Sequence, residues 1–300
     1  MSKLAHRSVE RRGEGDENGE ATCCANRPDG SRLPAYGRKR MTMDASINGV
    51  AKLDVRNLSI YFDELHVLDD VSFQLAEGDF VSLLGPSGCG KSTLLNLVAG
   101  LLTATSGTIS RDGVPVIGPG PDRSMVFQDD AVFPWYTVVQ NVEYGLRVKG
   151  VEKTERRKKA QGFIDLVGLS GREDAYPYQL SGGMRKRVDV ARALAAEPDV
   201  LLMDEPFASL DAMTKTRLQV EFLRIWENSR ATVLFVTHDV EEALYMSERV
   251  FVMSTGPGRL FHQTDVPFPH PREESLRTST AFQDHRAELI DALHRAGAQF

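Results

Sequence analysis

Hydrophobic and polar positions change rhythm three times along the chain. Up to about residue 50 the residues are polar and mixed in charge, rich in Gly, Arg, Glu and Asn, with no apolar segment. Such a stretch carries too little apolar surface to offset the entropy of ordering. Residues 1–50 are therefore expected to form a disordered N-terminal extension, and Met41 or Met43, just ahead of the patterned region, is the expected natural start. From Ala51, short apolar runs predict strands at Leu53–Phe62, Val71–Leu75 and Phe80–Leu84, and a glycine-rich loop opens a helix from Lys91. Residues 138–197 carry helical spacing broken at Gly150, Gly168 and Gly171, which predicts a helical insertion. Beyond it the pattern alternates. Strands are predicted at Val200–Met203, Thr232–Val236 and Val250–Met253, separated by helices from Asp211 to about Asn228 and from Val240 to about Ser247. A proline-punctuated tail follows Pro267 and turns helical from about Gln283 to His294. Strands alternating with helices predict an α/β fold with a mainly parallel sheet covered on both faces.

Composition narrows the function classes. At 300 residues, 41% hydrophobic and 26% charged, the chain can build one large core or two small ones. Its formal net charge of -6, with no Lys/Arg stripe, argues against nucleic acid as a partner. No run approaches the roughly 18 to 20 apolar residues of a membrane-spanning helix, and the extension has no apolar core of a secretory signal. Three cysteines, Cys23 and Cys24 adjacent and Cys89 distant, give neither a disulfide framework nor a metal-ligand spacing, which suits a reducing cytoplasm.

The residues that carry chemistry begin at Gly85-Pro86-Ser87-Gly88-Cys89-Gly90-Lys91-Ser92, followed by Thr93. This run fits G-x-x-x-x-G-K-[ST] in its required setting, after a strand and before a helix. Glycines let successive N–H groups converge on phosphate oxygens, Lys91 reaches the β and γ phosphates, and Ser92 ligates Mg²⁺. A second signal is the buried-strand run Val200–Met203 ending in Asp204-Glu205-Pro206, which places two acids at the carboxyl end of a strand. Asp204 would hold Mg²⁺ through water, and Glu205 would orient and deprotonate the attacking water. Together they point to a nucleoside triphosphatase. A GTPase is disfavoured because no Asn-Lys-x-Asp base-reading motif is present.

The run Leu180-Ser181-Gly182-Gly183-Met184-Arg185-Lys186-Arg187 resembles the signature of ABC-type ATPases. Ser181 and the Gly182 and Gly183 amides at a helix start would form a second phosphate cradle. That resemblance, from about Leu53 to the C-terminus, implies a P-loop cassette with an antiparallel β subdomain and a helical subdomain at about 138–197. The cassette would span 51–285, with 286–300 as a C-terminal helical tail. It further implies a homodimer holding two ATP molecules, each between one copy's phosphate loop and the other's signature. Gln128 matches the glutamine that contacts Mg²⁺ and the catalytic water, Ser209-Leu210-Asp211 resembles the D-loop, and His238 matches the switch histidine at the γ-phosphate. Phe62 or Tyr61 stands near the adenine-stacking position, Phe62 fitting better, and either could instead pack in the core. Lys186 and Asp189 depart from the family pattern, where glutamine and a small residue are more usual.

Further features look like the nitrate/sulfonate/taurine importer branch: Pro134-Trp135, the run from Met253 to Arg259, and Pro271-Arg272. Trp135 could also simply pack the helical subdomain. The resemblance implies transmembrane permease subunits as partners, a periplasmic binding protein acting indirectly, and a peripheral location on the cytoplasmic face of the inner membrane. The cargo would be a sulfonate, taurine, nitrate or a pyrimidine precursor. The alternative, a soluble ABC ATPase of translation or DNA repair, would bring paired cassettes, a coiled-coil insertion or zinc-binding cysteines, none of which occurs here.

Overall fold

The computed structural model describes residues 51–297; the expected N-terminal extension and the last three residues lie outside them. In chain order the elements are β1 (Leu53–Phe62), β2 (Leu65–Leu75), β3 (Phe80–Leu84), α1 (Lys91–Ala99), β4 (Ser106–Arg111), β5 (Val114–Pro115) and β6 (Arg123–Val126). Then come α2 (Val138–Val142), α3 (Tyr144–Val148), α4 (Lys153–Leu166), α5 (Gly182–Ala195), β7 (Val200–Asp204), α6 (Ala212–Ser229) and β8 (Thr232–Thr237). The chain ends in α7 (Val240–Met246), β9 (Arg249–Met253), β10 (Leu260–Asp265) and α8 (Thr280–Arg295).

Two sheets result. A four-stranded antiparallel sheet has the order β2-β1-β4-β5, and a six-stranded sheet has the order β10-β9-β3-β8-β7-β6. In the larger one β6, β7, β8, β3 and β9 are parallel, and only the edge strand β10 is antiparallel. Strands β3, β7 and β8 are buried along their whole length, so their sequences are unbroken apolar runs.

Side chains alternate across this sheet between two cores. Phe80, Leu201, Met203, Val233 and Phe235 join a core shared with α5 to α8 and the helical segment. Val81, Leu83, Leu202, Leu234 and Val236 join a core shared with α1 and the antiparallel sheet. The first core centres on Phe80, whose ring meets Trp226, Phe222 and Phe235 edge to face at 5.3, 5.9 and 6.0 Å, a geometry favoured by the aromatic quadrupole.

The tail is less separate than the sequence suggests. Helix α8 starts at Thr280, capped by Ser279, whose hydroxyl accepts from the Phe282 amide. It therefore crosses the expected boundary at residue 285. Its Phe282, Leu289, Ala292 and Leu293 are buried in the first core. Ahead of it, the buried Arg272 donates to the carbonyls of Leu244, Tyr245 and Ser247 at the end of α7 and to that of Phe268. A guanidinium thus satisfies the carbonyls that a helix end leaves open. Burial pushes the Arg272 pKa down to about 10. Nearby, His270 packs edge-on to Trp226; burial and the neighbouring Arg272 and Arg230 push its pKa down to about 3.

Phe80→Ala is expected to lower stability by about 3 to 5 kcal/mol, read from the midpoint of urea unfolding. His270 also makes stability pH-dependent. In the unfolded chain an imidazole binds a proton below about pH 6.5, while the folded site resists protonation until near pH 3. Stability present at neutral pH is therefore lost as pH falls through that window. His270→Phe is expected to show a smaller drop in melting temperature between pH 7 and pH 4 than the parent chain.

Candidate functional site

Parallel register brings the chemistry together. Leu84 pairs with Thr237 and Asp204 with Val236, so Gly85, Glu205 and His238 each stand one residue past a strand end at the same edge of the sheet. At the first end, Gly90 takes φ 96° as the N-cap of α1 and Gly88 takes φ 77°, left-handed conformations that favour glycine. A Cβ on Gly90 would lie 2.6 Å from Leu68 Cδ2, and one on Gly85 would lie 2.9 Å from Cys89 Sγ. Ser87 and Gly88 form the exposed tip, Pro86 is half-buried, and Cys89 is buried behind them, where burial raises its thiol pKa. Lys91 is buried, and its Nζ donates to the Gly85 and Pro86 carbonyls at 2.7 and 2.9 Å. The ammonium is thus held over the loop by neutral acceptors, poised to exchange them for an anion. Ser92 and Thr93, half-buried, follow in the first turn of α1.

At the end of β7, Asp204 is 4% exposed, and its Oδ1 has no hydrogen-bond partner. Burial raises its pKa and the Glu205 charge adds to this, while a hydrogen bond from the Ser92 hydroxyl and the Lys91 and Lys186 charges oppose it. A buried carboxylate oxygen left open beside a serine hydroxyl is an all-oxygen donor set, the kind that suits a hard cation such as Mg²⁺. Glu205 takes φ 46°, a strained conformation for a residue with a side chain. Its amide donates to the Val236 carbonyl at 3.0 Å, and its Oε2 lies 3.1 Å from His238 Nδ1. The His238 loop is fixed from below. Asp239 caps α7 through the Glu241 amide, and Lys215 of α6 bridges Asp239 and Glu242 at 2.9 and 2.6 Å.

The remaining candidates sit around this centre. Gln128 is exposed just past the end of β6. Ser181 is the N-cap of α5, accepting from the Met184 amide at 3.3 Å, with Gly182 exposed and Gly183 packed near Leu210. Ser181 and Gly182 are exposed and Gly183 is half-buried at the start of α5. Asp211 already has work in the fold: its Oδ1 accepts from the Thr214 amide at 3.0 Å as the N-cap of α6, which lowers its pKa. Tyr61 and Phe62 end β1, both about half exposed. The Tyr61 ring is stacked on His66 at 4.0 Å, whereas Phe62 sits at the hairpin turn opposite Leu65.

The family described as ABC transporter matches residues 68–208. An uncharacterized ABC transporter ATP-binding protein of Methanocaldococcus jannaschii is 48% identical over 81% of this chain and 91% of its own length. The chain belongs to the ABC transporter ATP-binding family. A taurine import ATP-binding protein of Rhizobium johnstonii is 45% identical over 81% of this chain and 96% of its own. An ABC cassette solved as a dimer in a post-hydrolysis state, with ADP and Pi bound, superposes with a TM-score of 0.64 at 30% identity, covering 72% of this chain and all of its own. This cassette is accordingly an ABC-type ATPase. Among the described residues, no helix is long and apolar enough to cross a membrane.

One residue of the phosphate site escapes a motif search. Gly258 pairs with β2, donating to the Val67 carbonyl and accepting from the Asp69 amide at 2.9 and 3.0 Å. A Cβ there would lie 2.0 Å from the Cys89 carbonyl oxygen, so this turn presses directly on the back of the phosphate loop. The glycine-proline-glycine run marks a tight turn in the sequence, but nothing local says which loop it touches. Gly258→Ala is expected to weaken ATP binding roughly tenfold, measured by titration calorimetry, with the melting temperature of the nucleotide-free protein changed by only a few degrees.

Proposed function

We propose that this cassette is the ATP-hydrolysing subunit of an importer, working as a homodimer on separate transmembrane permease subunits at the cytoplasmic face of the inner membrane. The cargo would be a small anion of the taurine, sulfonate or nitrate type, handed to the permease by a periplasmic binding protein. The observation that carries the hydrolytic reading is the cluster at the ends of β7 and β8. A buried Asp204 with an open oxygen stands beside a strained Glu205 whose carboxylate pairs with His238. The identity to a taurine import protein supports the importer reading.

ATP would lie over Gly85 to Thr93, with Lys91 leaving the Gly85 and Pro86 carbonyls for the β and γ phosphates. Mg²⁺ would be held by Ser92, by Asp204 through water and by Gln128; when bound it neutralises phosphate charge. Glu205 would orient the attacking water and take its proton, and His238 would hold the carboxylate and meet the γ-phosphate. Ser181, Gly182 and Gly183 would close on the nucleotide of the second copy, joined by Asp211 beyond its role as a cap. Phe62 rather than Tyr61 would carry the adenine, because one face of the Tyr61 ring already rests on His66.

A permease contact is supported by exposed aromatics on the helical segment. Trp135 is 65% exposed, stacked on Phe133, and Tyr178 is 79% exposed, stacked on Tyr176. The chain segments that follow Trp135 and precede Tyr178 are joined by the amides of Val138 and Val139, which donate to the carbonyls of Ala175 and Glu173. Such rings, apolar with a polar edge, suit a docking surface.

Glu205→Gln is expected to lower kcat by at least roughly 100-fold and to trap an ATP-bound dimer visible by size-exclusion chromatography. Turnover near the parent rate would remove Glu205 from the base role.

A further inference from the structure

Lys186 is 1% exposed, five residues into the signature helix. Its Nζ donates to the carbonyls of both Phe127 and Gln128, the latter at 2.9 Å. These two carbonyls belong to the peptides on either side of Gln128. One ammonium gripping both fixes the backbone angles of that residue, and with them the direction in which its side chain leaves the chain.

The grip continues along α5. Arg185 Nε donates to Asp130 Oδ2 at 2.8 Å, and Arg192 Nη1 donates to the Ala131 carbonyl at 2.7 Å while its guanidinium lies over the Phe133 ring at 4.8 Å. Asp189, fully buried, accepts from Arg192 at 2.5 Å and stands 4.0 Å from Lys186, offsetting the two cations. Residues 185, 186, 189 and 192 share one face of the helix at its natural spacing. Residues 127 to 133 are thereby fastened to a helix whose first turn carries Ser181.

We propose that Lys186 is a positioning residue for ATP hydrolysis, one that fixes the orientation of Gln128 in its own active site and ties it rigidly to the cradle that meets the other copy's nucleotide. The link spans about one and a half helical turns from Ser181 to Lys186. Closure of the cradle on one ATP is then sensed as a shift of Gln128 over the other. The buried Lys186–Asp189 pair holds that link with charge-assisted hydrogen bonds, which are stronger than those of a neutral side chain.

The inference rests on the assignment of Gln128 to hydrolysis, so its test carries a separate check of that assignment. Removing Lys186 alone would leave the buried Asp189 with Arg192 as its one remaining cation, and the informative variant is the pair Lys186→Met/Asp189→Ala, which removes both charges together. Steady-state kinetics of the homodimer, ATP affinity and melting temperature would be measured for this pair, for Gln128→Ala and for the combination. The pair is expected to melt near the parent temperature and bind ATP within about twofold, yet lose roughly tenfold in kcat. In the Gln128→Ala background it is expected to cause no further loss, because both changes disable one group. A parent-like kcat, or a loss that multiplies with that of Gln128→Ala, overturns the positioning role. If Gln128→Ala alone turns over at the parent rate, the assignment of Gln128 fails first. Should the apolar pair not fold, Lys186→Leu/Asp189→Asn, which removes the donor to the two carbonyls but keeps a polar group beside Arg192, is judged by the same two outcomes.

Discussion

The molecule depends on one constraint: three fully buried parallel strands must stop at the same level. β3, β7 and β8 can be apolar throughout because helices cover one face of their sheet and an antiparallel sheet with α1 covers the other. Parallel pairing then aligns their carboxyl ends, and polar groups emerge together where the strands run out. Glu205 is held by a hydrogen bond from its amide to the Val236 carbonyl of β8 and by the contact of its carboxylate with the His238 ring just past the end of that strand. The site is thus a product of strand length. A one-residue extension of β7 would draw Glu205 into the sheet and break the alignment.

Much of this arrangement was legible in the sequence. Buried strands announce themselves as continuous apolar runs, and β1, β3, β7 and β8 fall where those runs lie. Polar edges hide. β4, reading Ser-Gly-Thr-Ile-Ser-Arg, offers only Ile109 to the core, and β10 has no clean alternation. β2 begins six residues before its apolar run because its first half is paired but half-exposed. The expected boundary at residue 285 fails for a related reason: the tail's prolines suggest a break, while Phe282 and Leu293 on both sides of it share one core.

Within the site, motif residues were readable because phosphate chemistry restricts their types, whereas supporting residues were not. Gly258, Arg272 and Lys186 all act on backbone carbonyls. A carbonyl has no letter in the sequence, so the target of each is invisible until the chain is folded. Asp211 shows the reverse case, a residue picked out by its motif whose visible role is that of a helix cap.

The contact at Gly258 gives the phosphate loop a second side. Its outer side is shaped by the turn between β9 and β10, about 170 residues further along the chain. Variation in that turn would reach the phosphate loop through its contact with the Cys89 carbonyl. Homologues that lengthen or reshape the turn would have to alter the Cys89 region in step, so the two segments should drift as a pair. A small molecule able to wedge between them would inhibit the ATPase without resembling ATP.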